Sequence, residues 1–475
     1  MLHLRGKFNR FEAKRKQLIY RGFFLLLTGF PLFTGCTTES EPPLISESTT
    51  ETTALTIWWD KGFTLEEDEA LQNLIQNWEK QTGKKVELSF YTTDQLPHKT
   101  QRAIQAGNPP DILMSNAAER VLNPKLAWEG QLVDVSDVIE PIQHLYFETS
   151  LKTVYLYNNL KQKHSYYGVP ISQSNIYISY WRPLIEQAGY TEADIPKDWD
   201  NFWKFWRKVQ DNLPENNDEK VYAMAFALSS RAGDTYQLVE HILEAYDVEI
   251  INIQGQLQLD RPEVRQGIIN CLTWLTEQYK AGYVPPDTIT WLNPDNNRYI
   301  LNRMAIMTPN VTLSIPIAVR QDVEVYQNQL RTMEFPKKPS GEPMRYFISV
   351  KQAVIFEKSN KQEMAKEFLK YFVQPEVINE YLKTSGGRNL PVHKPLWDDP
   401  FWSNPSDPHL SKAVEILTES QTIPYSSVVN PAYSLVYQSN IWGQALHKIL
   451  VEGQPPEKVT DEAIAEIKTI FESWE

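Results

Sequence analysis

The chain has 475 residues, 41% of them apolar and 23% charged, with 47 Lys plus Arg against 60 Asp plus Glu. That length accommodates two or three domains with sizeable cores, and a formal charge of −13 argues against a nucleic-acid or anionic-membrane surface, which needs basic patches. Two cysteines, Cys36 and Cys271, exclude a disulfide scaffold.

The charge is unevenly placed. Residues 1–21 carry seven basic side chains and one acid, Glu12, whereas residues 36–475 carry 40 basic against 59 acidic side chains. Residues 22–33, GFFLLLTGFPLF, form an apolar run too short for a hydrocarbon core of ~30 Å, and Gly29 and Pro31 interrupt it. A basic start, a short apolar run and the small residues Thr34 and Gly35 before Cys36 make the pattern of a secretory signal. The segment resembles a bacterial lipobox, with Phe33 where Leu is usual. That resemblance implies removal of residues 1–35 and lipidation of the Cys36 thiol, the alternative being an ordinary signal peptide. Thr37 stands where some bacteria place an Asp for inner-membrane retention. Residues 37–53 are Ser, Thr, Glu or Pro at 15 of 17 positions, so residues 36–53 read as a lipidated cysteine on a flexible tether.

Beyond the tether, strand and helix alternate. Residues 54–59, ALTIWW, are rich in strand formers, and Leu71, Leu74, Ile75 and Trp78 then recur at helical spacing up to a stop at Gly83. Val86, Leu88 and Phe90 alternate as a strand does, a second helix covers 94–106, and residues 110–114 make a third strand. This βαβαβ order predicts a parallel sheet whose ligands sit beyond the C-terminal strand ends, in the loops after Trp59 and Met114. Residues 198–210 place Phe202, Phe205, Trp206 and Val209 on one helical face with Asp198 as N-cap. Further helices are predicted over 261–282, 362–373 and 461–474, the last with a buried stripe of Ile464, Ile467, Phe471 and Trp474. Cys271 shares an apolar face with Ile268, Leu272 and Leu275 and reads as a small buried residue.

Signatures of catalysis are scarce. HExxH, GxSxG, GxxxxGK[ST] and CxxC do not occur, and no His stands four residues from another in a helix. What remains is recognition. Fourteen Trp and 23 Tyr supply flat apolar faces for the C–H face of a sugar, while carboxylates and amides bond its hydroxyls. Trp58-Trp59-Asp60-Lys61-Gly62 offers that mixture, with one tryptophan left for the core.

Several segments together resemble the extracellular solute-binding lipoproteins of bacterial ABC importers, of the carbohydrate-binding, maltose-binding-like type. They are LTIWWDKGF (55–63), IQAGNPPDILM (104–114), YYGVPIS (166–172), LIEQAGYTEADIPKDWDNF (184–202), YILNRMAIMTPN (299–310) and AKEFLKYFVQPEVINEYLKTSGGRNLPV (365–392). The resemblance implies an α/β fold of two lobes with the solute between them, crossing near Val169–Ser172, Phe347–Gln352 and Pro405–His409. The lobes so implied are 54–170 plus 351–405 and 171–350 plus 406–475. It further implies a monomeric receptor without enzymatic activity or cofactor, held outside the cytoplasmic membrane by its lipid, that passes a small solute to the transmembrane subunits of a permease.

Carried onto this chain, the ligand loops are Trp59, Asp60 and Lys61; Ser115, Asn116 and Glu119; and Gln173, Asn175 and Tyr177. The second lobe contributes Tyr433 and Tyr437, with Arg231 and Arg388 as further cleft candidates whose alternative is a solvated surface. Asp111, within PPD, shapes the start of its strand. The family's Gly-x-Trp reads Pro309-Asn310-Val311 here, removing one stacking tryptophan, so malto-oligosaccharide is not implied. The solute reads as a mono- or oligosaccharide or polyol derivative. The alternatives are a polyamine or phosphorylated polyol on the same fold, a sensor that feeds no permease, and an anchored glycan-active enzyme.

Overall fold

In the computed structural model, which describes residues 54–214 and 220–474, the strand Leu55–Asp60 pairs in parallel with both Val86–Tyr91 and Ile112–Met114. This is the order expected from the alternation of strand and helix. The helix Leu65–Thr82 opens on a capping box between Thr64 and Glu67 and ends at Gly83, whose φ of 72° suits a residue without a side chain. Asp111 holds the start of its strand in place by accepting from the backbone N–H and hydroxyl of Thr56, both at 2.7 Å. Residues 1–35, Cys36 and the tether to residue 53 lie outside the described residues.

Two sheets organise the chain. The first has six strands in the order Leu390–Pro391, Val169–Ser174, Ser349–Ile355, Ile112–Met114, Leu55–Asp60 and Val86–Tyr91. Ser349–Ile355 runs antiparallel to both of its neighbours. The second has four, in the order Leu330–Met333, Tyr177–Trp181, Ala305–Asn310 and Tyr222–Met224. Each sheet carries its own helices, giving an α/β molecule of two lobes. The chain passes between the sheets from Ser174 to Tyr177, returns between Met333 and Ser349, and leaves again between Pro391 and Leu410. Within the second passage Tyr346–Phe347 lies parallel to Thr422–Ile423, which follows the helix Leu410–Glu419.

Apolar periodicity produced the cores with two differences. The helix Trp199–Asn212, capped by Asp198 accepting from the Asn201 N–H at 3.1 Å, buries Trp199 and Trp203 as well as the expected face. Trp274 of the neighbouring helix covers those two rings, at centroid distances of 5.4 and 4.9 Å. The last helix runs Pro456–Glu472 and buries Val459, Thr460, Ala463, Ile464 and Ile467. Phe471 and Trp474 are only half-buried, because the helix end leaves the lobe and Trp474 leans on Trp128 at 4.7 Å. Cys271 is fully buried, as expected. Among the described residues no helix is long and apolar enough to cross a membrane.

Candidate functional site

The loops that follow the first three parallel strands end at one place. Phe63, Thr93, Asp94, Asn116, Ala117 and Arg120 line one wall of a cavity of about 150 Å3, with Ser174, Ser349 and Lys351 from the neighbouring strands. The opposite wall comes from the second lobe: Gly233, Asp234, Gln237, Asn293, Asn297, Asn310, Thr312 and Ser314. Arg388 stands between the walls. A contiguous hollow of about 320 Å3 shares Asp94, Arg120 and Gly233 and extends to Arg231, Tyr236, Tyr437 and Asn440. The position agrees with the rule that open α/β sheets bind beyond the carboxyl ends of their strands. Two hollows of comparable or larger size, about 380 and 410 Å3, lie elsewhere. One is a groove between the helices Leu65–Thr82 and Pro375–Thr384, the other a cleft lined by Pro196, Pro336 and Pro343, and neither opens between the two sheets.

The polar groups are held firmly. Asn293 donates from Nδ2 to Asp94 Oδ1 at 3.0 Å across the cleft and accepts from the Asp234 N–H at 3.1 Å. Arg388 donates to both carboxylate oxygens of Glu67, at 3.0 and 3.3 Å, and reaches Thr312 Oγ1 at 3.4 Å. Asn297 and Asn310 each donate to Ser314 Oγ at 2.9 Å. Burial pushes Asp234 up to about 6, with Asp94 adding to the effect. It also raises Asp60 and lowers Lys351; the Asn116 N–H bond works against the first shift, and Arg388 adds to the second. Glu119 is pushed up to about 7 by burial, against the pull of Arg120 at 3.2 Å.

The residues proposed from sequence divide accordingly. Asn116 and Arg388 line the cavity; Arg231 and Tyr437 line its extension, where the Tyr437 hydroxyl donates to Glu240 at 2.7 Å. Asp60 and Ser115 lie directly behind the wall, buried, with Asp60 Oδ1 and Ser115 Oγ unpartnered. Glu119 supports the wall from within, accepting from Ser349 Oγ and the Val350 N–H. The remaining candidates line neither hollow. Trp59 belongs to the core of the first lobe, 2% exposed and 5.5 Å from Phe372, because its side chain leaves the sheet away from the cleft. Lys61 is exposed and lines neither hollow. Gln173 is consumed within the fold, accepting from Ser150 Oγ and donating to the Pro391 carbonyl. Asn175 and Tyr177 are buried at the passage between the sheets, and Tyr433 is buried beneath Tyr437.

Sequence reasoning missed Asp94, Arg120, Asp234, Asn293, Asn297 and Lys351. The Asn-rich stretch Asn293-Pro294-Asp295-Asn296-Asn297 carried a signal in its amide density; Asp94 and Asp234 look like ordinary helix starts. Among the described residues no group of three or more His, Cys, Asp or Glu could hold a metal ion.

A family model described as bacterial extracellular solute-binding protein matches residues 73–411. No curated protein sequence matches. Among solved structures, an ABC transporter solute-binding protein from Thermotoga lettingae bound with α-D-tagatose is 18% identical. It superposes with a TM-score of 0.73 over 88% of this chain and 100% of that one. Maltose-bound MalE3 of T. maritima is 17% identical, with a TM-score of 0.71 over 88% and 100% of the two chains. A sugar transporter structure from Arthrobacter chlorophenolicus with bound laminaribiose gives 15% identity and a TM-score of 0.71 over 88% and 99%.

Proposed function

Because the chain belongs to the family of bacterial extracellular solute-binding proteins, we propose that it is the sugar receptor of an ABC importer. The family consists of solute receptors and not of enzymes. In this reading the mature protein is an exported monomer anchored to a membrane by lipid at Cys36, with its body on the periplasmic or extracellular face. It takes up a mono- or oligosaccharide or a polyol derivative between its lobes and delivers it to the permease. The lobes divide at the three passages between the sheets.

One observation carries the reading. The cavity draws amides, hydroxyls and carboxylates from both lobes, Asn116, Ser174 and Ser349 facing Asn297, Asn310 and Thr312. Such groups match the alternating donors and acceptors of sugar hydroxyls, and Phe63 on the wall and Tyr236 and Tyr437 in the extension supply apolar faces. The sugars bound in the superposable proteins from Thermotoga and Arthrobacter support the same class. A site built from two lobes closes when solute binds both walls, and the closed form is what a permease can distinguish.

Thermal unfolding against a panel of sugars, polyols, polyamines and amino acids tests the proposal. A bound solute at 100 times its Kd adds about 2.7 kcal/mol to stability. Stabilisation by a sugar that is recovered unchanged supports the receptor; stabilisation by cations or phosphates alone moves the reading to a non-sugar solute. Metabolic labelling with a fatty acid, lost on Cys36→Ser, tests the anchor.

A further inference from the structure

A neutral sugar presents hydroxyls that donate and accept equally, so it calls for a balanced wall. One side of this cavity is unbalanced. Asp234, in the first turn of the helix Gly233–Ala245, lines the cavity, and its carboxylate has no hydrogen-bond or ion-pair partner among the described residues. Asp94 faces it from the other lobe, with the Asn293 amide bonded to both residues. Asn297, 4% exposed and lining the same cavity, has an unpartnered Oδ1; Asn116 Oδ1 and Gln237 Oε1 are unpartnered as well. Those three amide oxygens are buried without a partner, and the Asp234 carboxylate adds an acceptor that lines the cavity.

Two of the three cations that line the cavity are committed elsewhere. Arg388 is paired with Glu67 and Arg120 with Glu119. Lys351 lines the cavity without an ion pair among the described residues, which leaves its ammonium for a hydroxyl. A helix start pointing into a cleft would draw a phosphate, but this one already carries the Asp234 carboxylate, and the Asp234 N–H is taken by Asn293. Phosphorylated solutes are thereby disfavoured.

Resting on the sugar-receptor reading, we infer that the solute is an amino sugar whose ammonium sits between Asp234 and Asp94 while its hydroxyls meet Asn116, Asn297 and Lys351. An ammonium supplies three donors and the positive charge that two facing carboxylates lack, and charge-assisted bonds of this kind are roughly twice as strong as neutral ones. Burial, with Asp94 adding to it, raises Asp234, and a cation between the two carboxylates acts against that shift.

Titration calorimetry at neutral pH compares matched pairs: D-glucosamine with D-glucose, D-galactosamine with D-galactose, D-mannosamine with D-mannose, and the β-1,4-linked glucosamine disaccharide with cellobiose. N-acetyl forms, spermidine and glucose 6-phosphate complete the set. In the tightest pair the amine binds at least tenfold more tightly than its hydroxyl and N-acetyl counterparts, and Asp234→Asn or Asp94→Asn collapses that ratio toward one. Neutral sugars binding as tightly as the amines, or a preference that survives both substitutions, overturn the inference and leave the sugar receptor standing. A preference for the phosphate overturns it too. Binding of spermidine but no sugar, or of nothing by a cooperatively folded protein, overturns both.

Discussion

Asn293 donates to Asp94 at 3.0 Å, and through this bond a loop of the second lobe holds a loop of the first. The acceptor is a carboxylate, so the bond exceeds a neutral one in strength. Its geometry exists only while the walls are close.

Asn293→Ala should therefore favour the open form. A loss of about 1.5 kcal/mol from the closed state lowers solute affinity roughly tenfold. Small-angle scattering with and without solute checks this: the variant should need more solute for the same contraction, with an unchanged unfolding midpoint in its absence.

Arg388 and Glu67 form a largely buried ion pair, 14% and 7% exposed at the side chains. Removing one member leaves a buried charge without its partner, which costs about 3–5 kcal/mol. Arg388→Ala should lower the urea midpoint by a corresponding amount, whereas Arg388→Lys should recover part of it. Equal midpoints for wild type and Arg388→Ala would show that the pair is solvated in solution.

Stability should fall as the medium becomes alkaline. Burial holds Glu240 at about 8 and Glu119 at about 7 in the folded protein. Unfolded carboxyls have lost their protons above about pH 5, so between about pH 6.5 and 8 the folded state holds more protons than the unfolded one. Unfolding then becomes easier as pH rises through that window. The buried histidines His241, His393 and His409, lowered to between about 3 and about 4, act in the opposite sense, but only below about pH 6.5. Urea midpoints at the two ends of the window should decline, and Glu240→Gln should shrink the decline.

Gly443 lies in the helix Ile441–Leu450, whose N-cap Asn440 accepts from the Gly443 N–H and donates to the Ser230 carbonyl. A Cβ there would stand 2.8 Å from Ser230 Cα and 2.7 Å from Asn440 Nδ2. Gly443→Ala should cost about 1–3 kcal/mol by forcing the helix away from the cleft rim, read as a lowered urea midpoint. No change would mean that the helix and the Ser230 loop move apart freely.

The alternation of Val86, Leu88 and Phe90 and the helical stripe from Leu71 to Trp78 were enough to find the parallel start of the first lobe, because period and burial coincide there. The same reasoning located the loop after Met114, which brings Asn116 to the cavity. It could not orient Trp58 and Trp59, since adjacent strand residues face opposite ways and nothing local says which face meets a core. Trp59 went to Phe372, and Trp58 to Tyr91 and Lys99. It failed also for Asp94, Asp234 and Asn293, which lie far apart in the chain and meet only when the lobes fold against each other.

The most direct test of a solute held between the lobes is calorimetric titration of wild type, Asn116→Ala and Asn297→Ala with the sugar that most stabilises the protein. The two asparagines stand on opposite walls of the cavity. One-to-one binding that weakens at least tenfold in each variant, with both variants still unfolding cooperatively, is the predicted result. Wild-type affinity in both variants would place the solute outside the cleft and contradict the account.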